Sequence, residues 1–159
     1  MTGAGETGDA RPRGRLYLAG YGGTAPDVFF ETLRPYGIDV ALDIRIAPKG
    51  WSPSYTGSEF LRRLVDDGGA RRARWARGLG NAGRFDGTGM RLADPGAVAD
   101  LVSVLDRGLS VVVVCGCGDE AACHRALVAA KVREAAPDAD IASISMPPRP
   151  PRARKAETG

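Results

Sequence analysis

Val111-Val112-Val113-Val114 is the most apolar run of the chain, and Cys115-Gly116-Cys117-Gly118-Asp119-Glu120-Ala121-Ala122-Cys123-His124-Arg125 follows it directly. An apolar run this short predicts a strand buried on both faces, as found in parallel sheets. The residues after it then lie at a strand's carboxyl end, where open α/β folds place their ligands. All three cysteines and the only histidine fall in that stretch.

Around this strand the pattern alternates. Leu16–Ala19 reads as a first strand ending in Gly20-Tyr21-Gly22-Gly23. Thr24 is positioned to cap a helix with Pro26 in its first turn, running through Val28, Phe29 and Leu33 to Gly37. Ile38–Asp43 predicts a second strand, followed by an irregular loop over 45–57 and a short helix capped by Ser58. A weaker third strand covers about 71–75, and a glycine-rich loop spans 78–89. Asp94-Pro95 predicts the start of a helix whose Val98, Leu101, Val102 and Leu105 form one apolar stripe ending at Gly108. Asp119 predicts the cap of a fourth helix, and 141–144 a last strand. Such alternation implies right-handed crossovers with helices on both faces. The expected fold is α/β: a single-domain, Rossmann-like three-layer sandwich with a mostly parallel sheet of about five strands.

The 159 residues, 43% hydrophobic, suffice for one domain with a real core. That domain is expected over residues 15–146. Residues 1–14 are polar and glycine-rich and read as disordered, and 147–159 read as a disordered Pro/Arg-rich basic tail. The first fifteen residues lack the apolar stretch of a signal peptide, and nowhere does an apolar run approach the roughly 18 residues of a membrane span. A cytoplasmic protein with no membrane partner is expected. The net charge of +3 is concentrated in Arg71–Arg77 and the tail, patches that could meet nucleic acid or stay as solvated arginines.

Three cysteines within nine positions are a poor disulfide framework, and in a reducing compartment suggest reactivity or metal binding. With Asp119 as cap, Cys123 would fall in the first full turn of the helix, where free N–H groups lower a thiol's pKa. His124 exchanges protons near neutral pH, and Arg125 has bidentate geometry for carboxylate or phosphate. Cys117, in the loop, is the more exposed nucleophile candidate. Seven residues separate Cys117 from Arg125, too many for a cysteine-phosphatase loop. No metal is required. A divalent ion, if bound, would draw on Cys115, Cys117, Cys123 and His124, although paired Cys-x2-4-Cys knuckles are missing and adjacent helical residues diverge by about 100°. Further along the expected edge, the Gly20-Tyr21-Gly22 turn could cradle an anion. Asp43 and Arg45 share one face and either pair or enter the site. Pro48, Trp51, Pro53 and Tyr55 form an aromatic wall or lid, and Leu79-Gly80-Asn81 is another loop over the edge.

In this order and spacing, Gly20-Tyr21-Gly22, Asp43-Ile44-Arg45 with Pro48, Leu79-Gly80-Asn81, and Cys115 with Cys123-His124-Arg125 resemble the bacterial domain-of-unknown-function family numbered 488. The resemblance covers nearly all of residues 16–145. It implies a compact α/β protein whose motif residues meet at the carboxyl edge of the strands, and it assigns no reaction. Cys117 stands where many members carry a glutamate, and Lys49-Gly50-Trp51 replaces their small or arginine residues. The expected function is an enzyme acting on a small anionic or nucleotide-like molecule. Asp43, Cys117, Cys123 and His124 supply its chemistry; Gly20, Tyr21, Gly22, Arg45, Trp51, Asn81 and Arg125 bind its substrate. The alternatives are a nucleic-acid-binding module and a metal-binding protein.

Overall fold

The computed structural model describes residues 12–87 and 89–148. Five strands, β1 (Leu16–Gly20), β2 (Val40–Asp43), β3 (Arg72–Trp75), β4 (Val111–Cys115) and β5 (Ile141–Ser143), form one sheet in the order β3-β2-β4-β1-β5. Every pairing is parallel. Helices α1 (Pro26–Leu33), α2 (Gly57–Asp66), α3 (Ala97–Asp106) and α4 (His124–Ala135) connect them. The fold is the expected α/β sandwich, with an all-parallel sheet.

The valine run occupies the centre. Val113 pairs with Leu18 on one side and Leu42 on the other, and all five residues of β4 are buried. Its side chains alternate between two cores. Val111, Val113 and Cys115 pack with Leu101 and Leu105 of α3 and Val128 and Val132 of α4. Val112 and Val114 pack with Phe29 and Phe30 of α1 and Phe60 and Leu64 of α2.

Strand order explains this division. The chain steps from β1 past β4 to β2 and then β3, and returns through β4 to β5. Crossovers of one hand that travel in opposite directions must use opposite faces. Strand β4 is therefore flanked on both sides by strands whose outgoing loops turn to the other face. That reversal opens a crevice at the strands' carboxyl ends.

Four helix starts differ from the sequence expectation, two of them because an aspartate closes a turn ahead of the helix. Ala25, Thr56, Gly96 and Cys123 are the N-caps, not Thr24, Ser58, Asp94 and Asp119. The Asp94 carboxylate accepts the Gly96 N–H at 3.0 Å, closing a turn ahead of the helix. Asp119 does the same for Ala121 at 3.0 Å, within a separate turn over Glu120–Ala122. Short polar side chains here close local turns, a role that competes with capping.

Just ahead of β1, Gly14 N–H donates to the Leu105 carbonyl at 2.8 Å, and Arg13 pairs with Asp106 and Asp138. The disordered segment expected over 1–14 and the basic tail lie otherwise outside the described residues, apart from Pro147 and Pro148. No helix among the described residues is long and apolar enough to cross a membrane.

Candidate functional site

The loops leaving β1, β2 and β4 meet the start of α4 around a cavity of about 460 Å³. Tyr21, Arg45, Trp51, Asn81, Cys115, Cys117, Cys123 and His124 all line it. Residues more than a hundred positions apart thus share one pocket, as the topology requires.

Its floor is sulfur and imidazole. Cys115 ends β4 and Cys123 caps α4, and both are buried, with their Sγ atoms 2.9 Å apart. His124 places Nδ1 3.6 Å from Cys123 Sγ and Nε2 2.7 Å from the Ile44 carbonyl. That carbonyl can only accept, so Nε2 carries a proton and Nδ1 faces the thiol. The expected placement of Cys123 in the first helical turn is corrected: as N-cap, with φ −109° and ψ 150°, it has extended backbone. For this reason Cys123 and His124 converge instead of diverging as two helical neighbours would.

The thiols are differentiated by these contacts. The S–H of Cys115 donates to Cys123 and outweighs burial; with His124 and the Arg125 backbone N–H, it brings the Cys123 pKa down to about 3. Cys115, a hydrogen-bond donor to Cys117 and to Cys123 in a buried setting, is held strongly protonated, its pKa pushed up. Burial lowers the His124 pKa, but the Cys123 thiolate and the Ile44 carbonyl raise it by more. These contacts favour the thiolate on Cys123 and a second proton on His124. Cys117 follows Gly116 on the loop and is exposed, yet it lines the same cavity, and its hydrogen bond with the Cys115 thiol lowers its pKa although burial raises it.

Asp43 and Arg45 form the second layer. Arg45 donates from Nε at 2.8 Å and Nη2 at 2.7 Å to the two carboxylate oxygens of Asp43, and both residues are almost wholly buried. Nη1 donates to the Tyr21 hydroxyl at 3.1 Å and to the Tyr55 carbonyl. The guanidinium lies 4.6 Å over the Phe60 ring, and Tyr21 stacks on Tyr55 at 3.8 Å. Asp43 itself does not line the cavity; its carboxylate is occupied by Arg45.

Arg125 takes a different position. It lines a smaller cavity of about 310 Å³ with Gly20, Gly22, Glu120 and Ser143, across the Cys117–Gly118 loop from the sulfurs. It donates to the Cys117 carbonyl at 3.1 Å, while its buried Nε has no partner. Gly20 and Gly22 are there for space: a Cβ on Gly20 would lie 2.0 Å from the Cys117 oxygen, and one on Gly22, at φ +45°, 2.8 Å from Gly118 Cα. Asn81 lines the cavity while its Oδ1 accepts the Gly83 and Arg91 N–H groups at 3.1 and 3.2 Å.

Sequence reasoning missed Lys49, Arg84 and Met90 as cavity residues and Trp75 as a support, its indole donating to the Arg45 carbonyl at 2.7 Å. A cation within each of two loops was the available signal for Lys49 and Arg84. Nothing in the sequence marked Met90 or Trp75.

For a metal, Cys115, Cys123 and His124 bring donor atoms within 4.8 Å of one another, and two sulfurs with an imidazole suit zinc. The 3.6 Å from Nδ1 to Sγ matches ligands of one tetrahedral ion. The sulfurs do not fit as they stand: two thiolates about 2.3 Å from such an ion lie about 3.8 Å apart, whereas these are at 2.9 Å. The observed spacing is that of a direct sulfur–sulfur contact. No protein-family model matches this chain, and no curated protein matches it.

Proposed function

We propose that this protein is an enzyme that uses Cys123 as a thiolate nucleophile toward a small anionic substrate in the 460 Å³ cavity. The observation that carries this reading is the position of Cys123 Sγ at the cavity floor, between the Cys115 thiol and the His124 imidazole. A thiolate at a helix start with an adjacent imidazolium is an activated nucleophile with a proton donor beside it. His124 gives its Nδ1 proton to the leaving group, and Ile44 fixes the ring. Lys49 and Arg84 at the rim, with the N–H groups that open α4, attract the negative charge. Asp43 acts by positioning Arg45, and Arg45 by holding Tyr21 and the loop at Tyr55. Trp51, 61% exposed with its indole anchored to the Gly22 carbonyl at 3.0 Å, offers a stacking surface at the mouth. We further propose membership of the domain-of-unknown-function 488 family, supported by the shared motif order, and a cytoplasmic location, supported by three free cysteines.

Alkylation tests this reading. Iodoacetate should modify Cys123 faster, relative to iodoacetamide, than the same pair modifies free cysteine, because only the former carries a carboxylate. A ratio no higher than that of free cysteine would remove the anion preference, and slow reaction with both reagents would remove the nucleophile.

A second reading, nucleic-acid association, draws on Arg71, Arg72, Arg74 and Arg77, which are exposed on and around the edge strand β3. Trp75 is 41% exposed there, although its indole is engaged with Arg45. It predicts RNA or DNA affinity falling steeply with salt and weakened by Arg72→Ser with Arg74→Ser. Absence of salt-sensitive binding would dispose of it.

A further inference from the structure

The thiolate reading leaves Cys115 without a chemical task beyond donating a hydrogen bond. Its sulfur is 2.9 Å from that of Cys123, and a disulfide needs about 2.05 Å, so the pair stands within about an ångström of bonding distance. Both residues line the cavity. The segment between them is a glycine-containing loop and one short turn, and the second sulfur sits on extended backbone at a helix cap.

We infer that Cys115 and Cys123 form a thiol–disulfide couple, closed by a small hydroperoxide and reopened by a small dithiol, so that this cavity also carries two-electron hydroperoxide reduction. The inference rests on the reading of Cys123 as the thiolate. Burial selects the oxidant class. Cys123 is 1% exposed, which bars the in-line approach of another protein's disulfide but admits a molecule small enough to enter the cavity.

The Cys123 thiolate attacks the terminal peroxide oxygen, the O–O bond breaks, and the alkoxide or hydroxide leaves with a proton from His124 or water. Cys123 is now a sulfenic acid. The Cys115 sulfur attacks the Cys123 sulfur; the S–S bond forms, the S–O bond breaks, and hydroxide leaves with the Cys115 proton as water. Two thiol sulfurs are oxidised by two electrons, and the peroxide is reduced to an alcohol (or water) and water. A dithiol then attacks the disulfide, passes through a mixed disulfide, and closes to its own cyclic disulfide, returning both cysteines to the reduced state. While the bond is closed the nucleophile is masked.

The test uses the full chain, one equivalent of hydrogen peroxide, and iodoacetamide to block remaining thiols. Cleavage after Glu120 separates Cys123 from Cys115 and Cys117. The expected result is a chain lighter by two hydrogens with Cys115 linked to Cys123, only Cys117 alkylated, and full reversal by dithiothreitol. Cys117→Ser should behave identically, which keeps the test independent of whether a Cys115 variant folds. Cys123 found as sulfinic acid with Cys115 free, or a bond made through Cys117, would overturn the couple. Fast iodoacetate modification of reduced Cys123 with no disulfide sinks the couple alone, and slow modification sinks the thiolate on which both readings stand.

Discussion

Two arginines buried beside the candidate site have opposite settings. The charge of Arg45 is matched by Asp43 in a bidentate pair, whereas Arg125 meets a backbone carbonyl and the Cys123 sulfur and keeps an unpartnered Nε. Asp43→Asn leaves the Arg45 guanidinium without its counter-charge in a buried place. Removing one partner of such a pair costs about 3–5 kcal/mol, to be read from urea unfolding. Wild-type stability in that variant would contradict the role of this buried pair in holding the fold. At this scale the sequence was informative, because cysteine, histidine and arginine side by side are legible in one dimension. It was silent on protonation. The contact that pins His124 comes from the carbonyl of Ile44, eighty positions away, and no side-chain identity reports a backbone partner.

The elements were legible in kind and less so in their ends. The valine run, the stripe of α3 and the glycine-rich connections all describe burial, and burial is written in side-chain type. Helix starts were displaced because Asp94 and Asp119 close turns of their own ahead of the helices. One such displacement matters chemically, since it makes Cys123 a cap and brings its sulfur to His124. The glycines after β1 belong to this scale as well. Gly20→Ala pushes a methyl into the Cys117 carbonyl and the Arg125 guanidinium, so it should cost about 1–3 kcal/mol and displace the loop that carries Cys117. Denaturant unfolding checks the first, and the alkylation rate of Cys117 the second. Unchanged stability and rate would mean that the two loops are not in close contact.

For the whole molecule, what positions the site is strand order, and this was not readable. Alternation predicts parallel strands and leaves open which ones are neighbours. The order β3-β2-β4-β1-β5 sets β4 between two strands whose loops turn the other way, and so gathers Tyr21, Arg45, Cys115 and Cys123 at one edge. The claim that depends most on this gathering is the ionisation of Cys123, because its hydrogen-bond donor comes from β4, its imidazole from α4 and the ring's anchor from Ile44, just after β2. Ultraviolet thiolate absorbance of the wild type minus that of Cys123→Ser, followed as pH falls, measures it directly. A pKa lowered to about 3 means the thiolate persists through the acidic range and protonates only as the pH approaches that value. With His124→Asn, which removes a cationic partner, the midpoint should move upward by about 1–3 pH units. A difference spectrum that titrates near 8.5, the value of an ordinary cysteine, would contradict the account.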